Sequence, residues 1–297
     1  MFSCLSIGSH TDNNSLKVTL VIIFALVGNT NFSLVHESTH KLLSSNPTHN
    51  YFFGFLSAFW FPTSITFQKI CHLSHHLRNR TKYERFDICV EGKDVKIFKF
   101  LQFYGIITGI YWFLSPVSCL LYIFSPFLYR VLRYLRGKYT FLEGTGIIML
   151  ESFVDHPSRK IIIIETLVVL AAYIALIKFD YFNLGYAFLC YFSFGVLWGS
   201  LQYADHAWSE LDTIHGAWDL KINTVMQAVF LNYHFHRAHH SNPDVPWYEL
   251  ENYIDSNALR PRHFKVWLRM FRGPLIVPDV SDKELNKLLK NYAKELV

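Results

Sequence analysis

The chain has 297 residues, of which 51% are hydrophobic, 17% aromatic and 17% charged, with a formal net charge of +5. The apolar residues are gathered in long runs, which excludes an ordinary soluble domain. The basic residues lie beside those runs, a pattern of membrane topology rather than of nucleic-acid binding. Five cysteines (Cys4, Cys71, Cys89, Cys119, Cys190) form no Cys-x-x-Cys pair, so neither a disulfide framework nor a thiolate metal site follows; Cys71, beside His72, reads as a small hydrophobe.

In chain order, the first fifteen residues carry no Lys or Arg and do not read as a cleavable signal peptide. Residues 16–35, with Lys17 the only charge, read as a first span, and Asn29, Thr30, Asn31 and Ser33 make its end polar. Residues 51–67 are uncharged, but Pro62, Thr63, Ser64 and Thr66 interrupt them, which suits an interfacial or shallow re-entrant segment. Basic residues follow at Arg78, Arg80, Lys82 and Arg85. Residues 98–128 read as a hairpin with its turn at Ser115-Pro116, closed by Arg130, Arg133, Arg136 and Lys138. Residues 161–177, with Glu165 the only charge, and 184–201 form a second helical hairpin. The remainder, 202–297, is a polar cap. In it, His263 to Phe271 looks interfacial, and Ser281 to Glu284 has the capping-box pattern ahead of Leu285, Leu288, Leu289, Tyr292 and Leu296 at helical spacing. The expected fold is all-α: one membrane-embedded helical bundle, residues 1–297, with a cytoplasmic cap.

Fifteen histidines are present, and eight fall into three clusters at the edges of apolar stretches: His36-Glu37-Ser38-Thr39-His40, His72-Leu73-Ser74-His75-His76 and His236-Arg237-Ala238-His239-His240. Residues three and four apart share a helical face, so each cluster can present its imidazoles together. Eight imidazoles exceed the roughly four to six ligands that one ion takes in a nitrogen-rich site, so two metals are the natural count. Imidazole donors suit Fe, Zn, Cu or Ni and not the oxygen-seeking Mg or Ca. The clusters can meet only from one side of the bilayer, which is why residues 51–67 are read as returning to the side they leave.

The boxes HESTH, HLSHH and HRAHH resemble those of the membrane fatty acid desaturase and hydroxylase superfamily. The segment Asn232-Tyr-His234-Phe-His236-Arg-Ala-His239-His240-Ser-Asn-Pro243-Asp-Val-Pro246-Trp247-Tyr-Glu-Leu250 is similar to the last box of its bacterial desaturase and carotenoid-ketolase branches. The resemblance covers residues 31–250. It implies a non-haem di-iron oxidoreductase that uses O2 and two electrons on an unactivated C–H bond of a lipid acyl chain. The implied ligands are His36, His40, His72, His75, His76, His236, His239 and His240, plus one histidine before the third box. That extra ligand matches His206 best, with His234 the competitor. Glu37, Asp205 and Asp87 are the carboxylates that could orient imidazoles. The chain departs from the family in showing one span rather than a pair before the first box. It also shows no fused cytochrome b5 domain, so a separate ferredoxin, cytochrome b5 or reductase is expected to supply electrons. The location expected from the resemblance is a bacterial inner membrane with the site facing the cytoplasm.

Other readings carry less. His36 to His40 also matches the HExxH of zinc proteases, but such an enzyme needs one further ligand rather than six. A metal or proton transporter calls for polar residues in the middle of spans, and these middles are dry. A fatty acyl or carotenoid hydroxylase or ketolase, built on the same boxes, is the main alternative. His10, His49, His156, His215 and His263 are isolated and read as surface or interfacial residues, and the 27 Phe and 17 Tyr read mainly as lipid-facing packing and interfacial belt.

Overall fold

The computed structural model describes residues 1–136 and 156–297. In chain order it forms α1 (Phe2–His10), α2 (Asn14–Thr39), α3 (Pro47–Trp60), α4 (Ile65–Arg78), β1 (Ile88–Val90), α5 (Lys96–Ile107), α6 (Ile110–Tyr122) and α7 (Ser125–Arg136). Then follow α8 (Arg159–Lys178), α9 (Leu184–Gln202), α10 (Thr224–Val229), α11 (His236–Ser241), α12 (His263–Met270), β2 (Leu275–Val277) and α13 (Asp282–Ala293). Lys138, in the basic group after residue 128, lies outside the described residues.

Helices α2, α8 and α9 are long and apolar enough to cross a membrane. They leave large side chains such as Val18, Ile22, Ile161, Ile164, Phe188 and Leu189 exposed. Apolar surface of that extent is covered by lipid, so this is an integral membrane protein. The side chain of Asn13 starts α2 by accepting from the Leu16 N–H at 3.0 Å. Ring contacts climb α2 and α9 together: Phe24 meets Tyr191 at 4.9 Å, Gly28 receives the Phe194 ring, and Phe32 meets Trp198 at 5.3 Å. The two helices are therefore parallel, and their C-terminal ends emerge side by side. That end carries His36 and His40 on α2 and leads directly from α9 to His206.

Residues 51–67 return to the side they leave, as a helical hairpin that is deep rather than shallow. Near its start, the Asn50 amide donates to the Ser38 carbonyl at 2.9 Å, beside the first histidine cluster. At its far end, Trp60 touches Phe2 of α1, ring centroids 6.4 Å apart, and its carbonyl accepts from Tyr191 Oη at 3.2 Å. After a turn, α4 climbs back with the second cluster. Of the residues that break the run in sequence, Ser64 and Thr66 are partners of Glu165 in α8, while Thr63 Oγ1 meets Cys119 Sγ at 3.0 Å. The Glu165 carboxylate accepts from Tyr51 Oη (2.6 Å), Ser64 Oγ (2.5 Å), Thr66 Oγ1 (2.8 Å) and the Thr66 N–H (3.0 Å). A buried carboxylate at the N-terminus of α4 also meets the positive end of its dipole. One charge in a span thus ties the hairpin to the bundle.

The turn expected at Ser115-Pro116 lies elsewhere. Pro116 sits inside α6, and the chain bends by 96° between α5 and α6 at Thr108-Gly109. Gly109 has φ +77°, and a Cβ there would come within 2.5 Å of the Gly195 carbonyl carbon in α9. A left-handed residue lacking a side chain allows both the bend and this close approach, whereas proline removes only one helical hydrogen bond.

The cap is less purely helical than expected. β1 and β2 pair in parallel with Ile88 opposite Leu275, joining the segment after the second cluster to the C-terminal region. Beneath them Phe103, Trp208, Val266, Met270, Leu285 and Leu289 form one buried cluster. α13 has the expected capping box, Ser281 with Glu284, and α12 leaves Phe264 and Leu268 exposed opposite its buried Val266 and Met270. Arg80 departs from the reading of its basic group as a membrane flank, being 2% exposed.

Gly109→Ala should lower the melting temperature in detergent markedly more than Gly92→Ala. Gly92 has φ +75° with nothing within 4 Å of an added Cβ, so it carries only the left-handed cost of about 1–2 kcal/mol; equal shifts would mean that the backbone approach to Gly195 is not tight. Glu165→Leu leaves four donors without their acceptor, at about 1–3 kcal/mol each where they stay dry. Its thermal unfolding in detergent should begin well below that of the unaltered protein, with Glu165→Gln between the two.

Candidate metal centre

Each histidine cluster is delivered by a different local device. The first occupies the last turn of α2, where His36 and His40 stack one turn apart with ring centroids at 5.2 Å. The helix ends at His40, and Lys41 follows at φ +66°. The second occupies the last two turns of α4. The third forms the short α11, whose start is held by Asp219 Oδ1 accepting from the Ala238 N–H at 3.0 Å.

The three clusters converge. His36, His40, His72 and His239 form one group and His75, His206, His236 and His240 a second; within each group the ligand atoms lie within 4.8 Å of one another. His76 stands between them. Its Nε2 is 3.0 Å from Nε2 of His72 and 3.1 Å from that of His239, and its ring centroid is 4.3 Å from that of His240. His206, outside the boxes, belongs fully to the second group. His234 belongs to neither: it is buried against Phe235, with burial pushing its imidazole pKa down to about 3.

The donor set fits metal cations. Nε2 of His72 lies 2.7 Å from Nε2 of His40 as well as 3.0 Å from that of His76. A neutral imidazole nitrogen makes one hydrogen bond, giving its proton or accepting one, so the three successive contacts His40–His72–His76–His239 cannot all be hydrogen bonds. Nε2 of His36 is buried without any hydrogen-bond partner. A cation at each focus would accept these lone pairs. Burial supplies the needed protonation state, lowering the pKa of His40 to about 4 and of His76 to about 3. Neutral rings keep their lone pairs at neutral pH.

Several rings are oriented from behind. Nδ1 of His206 donates to the Gly216 carbonyl at 2.9 Å, leaving Nε2 for the focus. Nδ1 of His75 bonds Glu84 Oε2 at 2.6 Å. Such contacts fix tautomer and ring direction. Asp205 is fully buried beside His236, its Oδ2 3.7 Å from Nδ1. Glu37 lies 3.7 Å from His36 Nδ1, while its other oxygen accepts from the Trp247 N–H at 3.2 Å, joining the first box to the Pro-x-x-Pro-Trp element of the third. Asn232 donates to the Trp247 carbonyl at 2.9 Å, a second tie within that motif.

Asp87 does not orient an imidazole. Its carboxylate is taken up by Arg80 Nη1 (2.7 Å), Tyr203 Oη (2.6 Å) and the Trp208 N–H (2.6 Å). The carboxylate missed from sequence is Glu84. No motif spacing marks it: the chain folds back after Arg80 (φ +58°) and returns Glu84 to a histidine nine residues earlier. Of the isolated histidines, His263 bonds the Ser200 carbonyl at 3.0 Å and His49 is exposed; neither joins a metal group.

Residues 14–255 match the family model of fatty acid desaturases. No curated protein and no solved structure matches the chain.

His206→Ala and His234→Ala separate the two candidates for the ligand outside the boxes. Elemental analysis of purified protein should show about one metal lost per chain for His206→Ala and none for His234→Ala; the reverse result would reassign the ligand.

Proposed function

Since the chain belongs to the fatty acid desaturase family and is therefore a membrane oxidoreductase, we propose that it introduces a double bond into the fatty acyl chain of a lipid, with two iron ions and O2. One observation carries this reading: nine imidazoles from distant parts of the chain converge in two adjoining groups at one end of the membrane helices. A zinc protease would use one such group. Iron ions held by the two groups would bind and activate O2, the oxidant that removing hydrogen from a methylene requires, and the external donor's two electrons would complete its reduction to water.

The proposed ligands are His36, His40, His72, His76 and His239 for one ion and His75, His206, His236 and His240 for the other. The protein's own contribution is position and dryness. Glu84 and the Gly216 carbonyl hold His75 and His206 in one tautomer, and Glu37 and Asp205 stand behind His36 and His236. Beside the first group lies a small pocket whose lining includes His36, Glu37, His239, Leu231, Trp247 and Leu250. Leu231, Trp247 and Leu250 give it an apolar part through which a methylene group would approach the metals. Residues 1–297 act as one membrane-embedded domain in this reading: the family match runs to residue 255, and the C-terminal α13 packs on the same cap cluster as Trp208. Arg78, Lys82 and Arg85 at the histidine end, with Arg159 and Lys160 opening α8, favour a cytoplasmic cap; the bacterial inner membrane is the location that the likeness of the third box to bacterial desaturases suggests. Electrons come from a separate ferredoxin, cytochrome b5 or reductase.

Expression in a host of known lipid composition, followed by mass spectrometry of acyl chains and carotenoids, should reveal a new acyl double bond and about two irons per purified chain. A new hydroxyl or keto group would replace desaturation with the hydroxylase or ketolase reaction. His239→Ala should abolish the product and lower iron content while still inserting into the membrane, and His49→Ala should retain both.

A further inference from the structure

The two metal groups are supported differently. The first draws on the regular ends of α2 and α4. The second takes His75 from α4 and His206 from an irregular loop after α9, and behind these two lies a polar cluster sealed from solvent. Its centre is the ion pair of Arg80 and Asp87, both side chains 0% exposed. Both members follow α4 in the chain, and both bond the loop that carries His206.

On the His206 side, Arg80 Nη2 donates to the Ser209 carbonyl at 2.9 Å, and Ser209 Oγ donates to the His206 carbonyl at 2.7 Å. Asp87 Oδ2 accepts from the Trp208 N–H, closing the same loop from its other side. Asn79 Nδ2 donates at 3.2 Å to the Gly216 carbonyl, the group that also receives His206 Nδ1. On the His75 side, Tyr203 Oη donates to Asp87 Oδ1 and accepts from the Asp87 N–H at 3.1 Å. Arg85 Nε donates to the Arg80 carbonyl at 2.9 Å, bracing the turn that returns Glu84 to His75. Two bulky residues of the cluster, Arg80 and Trp208, hold left-handed backbone at φ +58° while buried, a conformation that persists only where its surroundings over-determine it. Among the described residues, the side-chain hydrogen bonds of Arg80, Asp87 and Tyr203 run to one another, Ser209, Trp208 and Glu84 and not to the side chains of His36, His40 or His239.

Resting on the dimetal reading above, we propose that the buried Arg80–Asp87–Tyr203 cluster is a positioning device for one metal only, the ion held by His75, His206, His236 and His240. A burial this complete is costly for an ion pair unless its donors and acceptors are used; Arg80 Nη1 and Nη2 and both Asp87 oxygens have partners, while Arg80 Nε has none. Here the pair's outward bonds run to the backbone of Trp208 and Ser209 beside His206 and to Tyr203, whose hydroxyl also lies 3.4 Å from the Glu84 carbonyl; the ring bonds themselves come from the Gly216 carbonyl and Glu84. The first ion's ligands have another tie, the Glu37–Trp247 contact between α2 and the third box, while Glu165 holds α4, which both groups share.

The test is iron per chain and resistance to a graded chelator in monodisperse, detergent-solubilised protein. Asp87→Asn should retain about one iron per chain. Tyr203→Phe and Glu84→Gln leave no unpaired charge behind in the ion pair; they should load two irons but release one of them at a roughly 10–100-fold lower chelator concentration, the size expected for removing a group that orients a ligand. His40→Ala, in the first group, should weaken the other ion instead, so that the combination with Tyr203→Phe is additive. Loss of both irons together from Tyr203→Phe or Glu84→Gln would show a general role in folding and overturn the proposal, as would unchanged release. Failure of Asp87→Asn to stay monodisperse leaves the decision to those two milder variants. If the unaltered protein itself binds no metal, the dimetal reading fails, an outcome distinct from a variant that loses both ions.

Discussion

The arrangement turns on imidazole nitrogens brought closer together than hydrogen bonding among them can justify. Nε2 atoms of His40, His72, His76 and His239 approach at 2.7–3.1 Å in succession, yet each has at most one proton to give. Such a set is held together against desolvation and mutual repulsion by the scaffold, and a cation at the focus relieves both. The scaffold achieves it with two parallel helices. Because α2 and α9 run in the same direction with matched ring contacts, the chain's first and last spans deliver His36, His40 and His206 to one end of the bundle. A deep hairpin, α3 and α4, delivers the second cluster to the same end without a crossing.

Two buried carboxylates organise what the helices alone leave undetermined. Glu165 takes four donors from the hairpin, and Asp87 takes one from each of Arg80, Tyr203 and the Trp208 backbone. In both, a charge removed from water is stable because its lone pairs are filled by groups from separate segments, so each acts as a junction. The junctions differ in location: Glu165 fixes a membrane-embedded hairpin, whereas Asp87 fixes loops in the cap. Apolar packing is less directional and could not choose the ring orientations that a metal requires.

Much of the chemistry was legible as spacing. The i, i+3 and i+4 positions of the boxes, at the ends of apolar runs, indicated a two-metal polyhistidine centre, and the Pro-x-x-Pro-Trp element pointed to a family whose model matches residues 14–255. The fold class and the membrane setting followed from the same runs. The misplacements have physical causes. Ser115-Pro116 looked like a turn because proline breaks helices in isolation, but the Gly109 bend also depends on the contact with Gly195, which is remote in sequence. Asp87 looked like a support for an imidazole because acids near histidines often are; the arginine seven residues earlier claimed it.

By itself, the sequence marked three histidine boxes as candidate metal ligands and set them at the margin of a membrane, because helical periodicity and hydropathy are local properties. Only the tertiary structure decided how the imidazoles divide between two foci, that His206 joins them and His234 does not, and that Glu84 rather than Asp87 braces His75. Those outcomes depend on where separate segments meet, and contacts across 130 or more residues, such as Asn79 to Gly216, leave no periodic trace along the chain.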